Sequence, residues 1–191
     1  AKKIRPFDPA AIENRGLFVT PEQMKAAIRP FELIRTAVGD RMEIMVDLHL
    51  LWNLPMAKDI GRALEPFSPR WYEEPIRMNS PQALAEFARS TSVSTCASDT
   101  LGSRFACKGY MDRDATSVVM VDLGWTGGLT EGRKIAATTD ACHRPFAPHD
   151  CIGPVGFVAA IHLSFSQPNA LIQESARAFL YADGGMISVL G

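Results

Sequence analysis

The sequence predicts an α/β chain of consecutive parallel βα units, a (β/α) barrel of the TIM type, on three observations. Six polar residues, Asp47, Glu73, Asp99, Asp122, His149 and Glu174, each end a short apolar run. They recur at intervals of 26, 26, 23, 27 and 25 residues, about the length that a strand, a helix and two loops consume. The stretches between the runs carry helical periodicity. In a parallel barrel the strand C-termini open at one mouth, where chemistry is assembled from several strands, so a polar residue there reads as functional before structural.

The runs 43–47, 70–73, 93–97, 117–122, 145–149 and 170–174 are short, mostly apolar and partly β-branched or aromatic, as buried parallel strands require. A further strand is expected within 2–7, followed by an irregular loop through Gly16 and Thr20, which brings the expectation to seven strands. Helices are expected over 21–38, 56–64, 81–90, 129–139 and 156–165, several preceded by Ser, Thr or Pro as helix starts prefer. A complete eight-unit barrel needs about 250 residues. The 191 residues therefore predict a single, incomplete barrel domain over 1–191, one unit short, a fragment or a truncated product whose open sheet edges need cover from a missing segment or another chain. A Gly184-Gly185 turn with no final helix is expected near its end.

A net charge of −1 with no long basic run argues against a nucleic-acid or membrane-surface partner. No run resembles a signal peptide or membrane span, and the default expectation is a cytoplasmic protein. Cys96, Cys107, Cys142 and Cys151 lack paired C-x-x-C spacing and read as buried free thiols.

Asp47, Glu73 and Asp99 place one carboxylate at each of three successive strand ends. Hard oxygen ligands of this kind suit magnesium, which keeps positions open for water or a bidentate substrate. Any one of these acids could instead cap the following helix; equal spacing on three strands favours a shared site. Asp122 and His149 form a second constellation, since a carboxylate beside an imidazole fixes its tautomer and raises its basicity, as a general base requires. His49, two residues beyond Asp47, falls on the same side by the period-two rule, and two histidines flanking a metal suggest a base and an acid. His143 and His162 read as structural or surface residues. Trp52, Trp71 and Trp125 are too dispersed for a stacking platform and read as packing, although Trp52 and Trp125 follow strand ends where they could line the pocket and bind substrate. Arg104 could either place a guanidinium near an anionic substrate or be a solvated surface residue. The glycine-rich stretch 124–128 lacks a P-loop lysine and reads as loop-to-helix packing.

The motifs Val46-Asp47-Leu48-His49, Tyr72-Glu73-Glu74-Pro75, Asp122 with Gly127-Gly128-Leu129-Thr130-Glu131, Ala147-Pro148-His149 with Gly153-Pro154, and Ile172-Gln173-Glu174 together resemble the mandelate racemase group of the enolase superfamily. The similarity is greatest to its galactonate-dehydratase-like acid-sugar dehydratases. The resemblance implies a sugar-acid substrate, self-association, and magnesium held by Asp47, Glu73 and Asp99 as a Lewis acid on the substrate carboxylate. It implies that His149, oriented by Asp122, removes the α-proton and that His49 protonates the departing β-hydroxyl, giving a 2-keto-3-deoxy acid. Glu174 would hydrogen-bond the developing enediolate oxygen, and Glu74 would stand behind the ligands. A racemase or epimerase of the same superfamily, or a noncatalytic barrel that binds a partner or completes an assembly, are the alternatives.

The chain departs from the family pattern in three places. Asp99 stands where the family generally carries Glu, which withdraws the carboxylate by about 1.5 Å. Lys3-Ile4-Arg5 replaces a Lys-x-Lys motif, and Arg5, a guanidinium suited to binding substrate, stays protonated and cannot serve as a second base. The first barrel strand and the N-terminal capping domain fall outside the sequence, which is expected to open the pocket to water.

Overall fold

The computed structural model describes residues 1–151 and 153–175. It divides into two compact units, Ala1–Ala97 with Gly109–Ser117, and Ser98–Lys108 with the chain from Val118 onward. The expected turn at Gly184-Gly185 lies outside the described residues.

The first unit alternates β1 (Lys2–Ile4), α1 (Asp8–Glu13), α2 (Pro21–Val38), β2 (Ile44–Asp47), α3 (Leu54–Leu64), β3 (Trp71–Glu73), α4 (Pro81–Ala88) and β4 (Ser94–Ala97). Its strands pair in parallel in sequence order, with Lys3 beside Met45, Asp47 beside Glu73, and Glu73 beside Cys96. Every position of β2 and β3 is buried, which is why these strands read as unbroken apolar runs rather than as alternation. The helix starts follow the local chemistry. Thr20 forms a capping box with Gln23, its hydroxyl accepting from the Gln23 N–H at 3.2 Å while its own N–H donates to Gln23 Oε1 at 3.0 Å. Asn53 and Ser80 cap α3 and α4 through the N–H groups of Met56 and Ala83. Below β3, the Tyr72 hydroxyl donates to the Gly61 carbonyl at 2.7 Å and its ring meets Phe87 edge-on, which locks α3 and α4 against the strand.

The second unit contains β5 (Val118–Val121), α6 (Leu129–Ala141), β6 (Phe146–Pro148) and α7 (Pro154–Ser166). Helix α5 (Arg104–Met111) has residues in both units. β5 and β6 pair in parallel, Val119 with Phe146 and Val121 with Pro148. Gly127 and Gly128, at φ +83° and +99°, turn the glycine-rich stretch into the start of α6.

Several expectations need correction. The segment 170–174 is not a strand: Ala170 makes one isolated parallel bridge to Phe146. Phe146 donates to Asn169 and accepts from Leu171, but Pro148 has no N–H with which to continue the ladder. The next bond to the Pro148 carbonyl comes from Glu174. The N-terminal loop holds a short helix, α1, and 104–111 a second helix that was not expected. Cys96 and Cys107 are buried free thiols, while Cys142 is half-buried and Cys151 exposed. His143 and His162 are exposed, as expected.

After α1, Gly16 adopts φ +68°, and a Cβ there would lie 1.8 Å from the Leu51 carbonyl oxygen. Gly39, at φ +56°, has nothing within 4 Å of the same position. Gly16→Ala should lower unfolding free energy by about 3 kcal/mol or more, strain and backbone clash together, and Gly39→Ala by only about 1–2 kcal/mol from strain. Urea denaturation of the two variants checks the ranking.

Candidate active site

In the first unit, β2 and β3 deliver Asp47 and Glu73 side by side at their C-terminal ends, 3% and 2% exposed. Glu73 Oε1 accepts from Lys3 Nζ at 2.6 Å and Oε2 accepts from the Trp71 indole at 3.1 Å. Asp47 Oδ1 accepts from the His49 N–H at 2.9 Å, an Asx-type turn. Burial pushes the Asp47 carboxyl above the usual carboxylate range, against the opposing pull of Lys3, His49 and Arg5.

β2 ends at Asp47, and His49 and Leu50 both take left-handed φ, +60° and +62°. The period-two rule therefore does not place His49. The turn does, carrying its Nε2 to 3.9 Å from Asp47 Oδ2. Glu74 likewise leaves the strand at φ +45°, is buried, and exchanges backbone bonds with Leu50 and Cys96. The His49 ring lies between Arg5 and Asp8: Nε2 is 3.1 Å from Arg5 Nη1 and Nδ1 is 3.0 Å from Asp8 Oδ2. A guanidinium only donates, so Nε2 is the acceptor and the Nδ1–H faces Asp8.

In the second unit, Asp122 closes β5, fully buried, and His149 follows β6. His149 Nδ1 donates to Asp122 Oδ2 at 2.7 Å, and Asp122 Oδ1 accepts from the N–H groups of Gly124 and Trp125 at 2.7 and 3.3 Å. Burial pushes the Asp122 carboxyl up, but the bonds from His149 and Gly124, the His149 charge and the Trp125 N–H together hold it below its ordinary value. Asp122 is thus an anion that fixes the imidazole with Nδ1 protonated. His149 Nε2 then lies 3.3 Å from Asp99 Oδ2 and 3.7 Å from Glu174 Oε2. The bond from the Glu174 N–H to Pro148 positions Glu174 without a seventh strand.

The residues expected at the substrate divide. Trp125 is 62% exposed, and Arg5 is exposed beside His49. Trp52 is 2% exposed and packs edge-on against Phe7, so it belongs to the core rather than a pocket wall. Arg104 is committed to Glu131, with Nη1 2.9 and 2.7 Å from its two oxygens, and stacks over Phe105. Sequence reasoning missed Asp8, Lys3 as the partner of Glu73, and the Trp71 indole. Lys3 and Trp71 carried the legible signal, each falling two residues from a chemically marked position, Arg5 and Glu73.

In the first unit Asp47 and Glu73 are buried carboxylates of the kind a hard cation prefers, and in the second Asp99 Oδ1 is buried with no hydrogen-bond partner among the described residues. Ligand atoms of Asp122, His149 and Cys151 also lie within 4.8 Å of one another. Asp122 already uses both oxygens and His149 its Nδ1, so these atoms are committed to hydrogen bonds rather than open to an ion. Among the described residues, no helix is long and apolar enough to cross a membrane.

In each unit carboxylates and an imidazole stand at the C-terminal ends of parallel strands that alternate with helices, the pattern of a (β/α)-barrel domain. Residues 3–188 match the family described as enolase C-terminal domain-like, and the chain belongs to it, within the mandelate racemase and muconate lactonizing enzyme group of the enolase superfamily. The chain is 34% identical over 172 residues to a D-galactonate dehydratase of Variovorax paradoxus, covering 90% of this chain and 45% of that protein. It is 47% identical to an enolase of the mandelate racemase subgroup from Agrobacterium tumefaciens, with a TM-score of 0.90 over 93% of this chain and 49% of that one. An enolase protein from Sargasso Sea environmental sequencing gives 40% identity and a TM-score of 0.90, over 96% and 50% of the two chains. The chain therefore spans about half the length of the relatives it matches.

A carboxyl whose pKa is raised by folding destabilises the folded state once pH exceeds its unfolded value, and the penalty vanishes in acid. Asp47→Asn should therefore raise the urea midpoint at pH 7 in metal-free buffer, the gain shrinking as pH falls below the ordinary carboxylate range. Urea titrations of both proteins across that pH interval provide the check.

Proposed function

We propose that this chain carries the catalytic residues of a magnesium-dependent dehydratase of sugar acids. The observation that carries the reading is the Asp122–His149 pair, with Nε2 3.3 Å from Asp99 Oδ2 and 3.7 Å from Glu174 Oε2. The 34% identity to D-galactonate dehydratases supports the substrate class.

Asp47, Glu73 and Asp99 would be the residues to hold magnesium, which when bound would supply Lewis-acid polarisation of the substrate carboxylate. His149 accepts the proton α to that carboxylate at Nε2, while Asp122 holds Nδ1–H and stabilises the cation that results. Glu174 stands 3.7 Å from the same nitrogen and hydrogen-bonds the oxygen on which charge develops. His49 takes up a solvent proton at Nε2 when substrate displaces Arg5 and delivers it to the departing β-hydroxyl, which leaves as water. The enol product tautomerises to a 2-keto-3-deoxy acid. Lys3 and Arg5 favour elimination over racemisation. The first is bonded to Glu73 at 2.6 Å, and the second stays protonated beside His49, so neither offers a second base on the opposite face.

Calorimetric titration of the full chain with magnesium, followed by a sugar-acid panel beginning with D-galactonate, tests the reading. Magnesium should bind the native chain and not Asp47→Ala, and one acid should yield a 2-keto acid. His149→Asn should keep magnesium binding and lose about 10²–10⁴ in product formation. No metal binding by the folded chain would overturn the proposal in favour of a noncatalytic barrel.

A further inference from the structure

We propose that Asp8 is the positioning residue for His49, the carboxylate that holds its ring as the Nδ1-protonated form and leaves Nε2 as the one nitrogen able to exchange a proton with substrate. The inference deepens the dehydratase reading and rests on it for the role of His49, although the pairing itself stands on geometry alone.

Asp8 opens α1 directly after the β1 strand end, and Oδ2 reaches His49 Nδ1 at 3.0 Å across a sequence separation of 41 residues. On the other side of the ring, Arg5 Nη1 lies 3.1 Å from Nε2. Because guanidinium has no acceptor, these two contacts fit one arrangement only: Nδ1–H donates to Asp8, and Nε2 accepts from Arg5. An acid in the first turn of a helix is favourable for the helix by itself. That accounts for the residue type, but not for the hydrogen bond or for the burial of Asp8 Oδ1 without a partner among the described residues. Asp47 Oδ2, at 3.9 Å, is the remaining charged group at the ring.

The geometry repeats what the second unit builds. There Asp122 holds Nδ1 of His149 at 2.7 Å, and here Asp8 holds Nδ1 of His49 at 3.0 Å. In each pair the carboxylate takes Nδ1, and Nε2 faces other groups, Asp99 and Glu174 in one case and Arg5 in the other. When the β-carbon–oxygen bond breaks, its electron pair leaves with oxygen. Nε2, which takes up a solvent proton once a substrate hydroxyl displaces Arg5, passes that proton to the oxygen, which leaves as water, and the ring returns to the neutral Nδ1–H form bonded to Asp8. Arg5, exposed and holding Nε2 by one bond, is the group a substrate hydroxyl would displace.

The test is ¹⁵N NMR of the histidine-labelled full chain in alkaline buffer, where imidazole is neutral, with the His49 signals assigned by loss in His49→Gln. The native chain should show His49 with a protonated Nδ1 and an unprotonated Nε2. Asp8→Ala should move the population toward protonated Nε2, and Asp8→Asn, which keeps an acceptor oxygen, should restore the native pattern. If Asp8→Ala fails to fold, Asp8→Ser gives the same readout with a hydroxyl kept in the first helical turn. With an active substrate, Asp8→Ala should lower elimination by about 10–100-fold while exchange of the substrate α-proton with deuterated water, which belongs to His149, stays near the native rate. An unchanged His49 tautomer in Asp8→Ala, or an undiminished elimination rate, overturns the proposal. A shifted tautomer in a chain that neither exchanges nor dehydrates any sugar acid supports the Asp8 assignment and tells against the dehydratase reading instead.

Discussion

Carboxylates buried at strand ends are the constraint around which each unit is arranged. Removing such a group from water costs several kcal/mol even after relaxation, and the cost is offset only where its lone pairs find donors. In the first unit, Glu73 is met by Lys3 from β1 and the Trp71 indole from its own strand, and Asp47 by the His49 N–H. In the second, Asp122 is met by an imidazole and two consecutive backbone N–H groups. Those backbone donors exist because the chain turns sharply right after each strand. At β2 the turn requires two successive residues other than glycine in the left-handed region, a local strain of the kind concentrated at functional sites.

Much of the architecture was legible because its signals are local. The helix expected over 21–38 is found as Pro21–Val38, since Thr20, Pro21 and Gln23 spell its start with a capping box and proline. The six shorter strands followed from apolar runs bounded by turn residues. Short helices were less visible: α1 has six residues and α5 eight, too few for a 3.6-residue period to stand out. The seventh run, 170–174, has a strand-like composition, but pairing depends on the neighbour, and the neighbour carries Pro148.

The site was legible as a set of residue types, less so as a set of contacts. Spacing put carboxylates and imidazoles at strand ends, and the Asp122–His149 pair joins two positions that a βα repeat already aligns. His49 reached its place by a turn the period-two rule does not describe. Asp8 and Arg104 show the limit in opposite directions. One gains a partner 41 residues away and the other is claimed by Glu131 27 residues on, and neither pairing leaves a trace in local sequence.

The hydrogen bond from the Trp71 indole to Glu73 ties an optical chromophore to one of the buried carboxylates. Trp71 is 2% exposed, shielded from solvent. Its emission therefore depends on the charge and orientation of one carboxylate oxygen rather than on the surrounding water. Anything that draws Glu73 away from the indole or neutralises it alters the field across this ring.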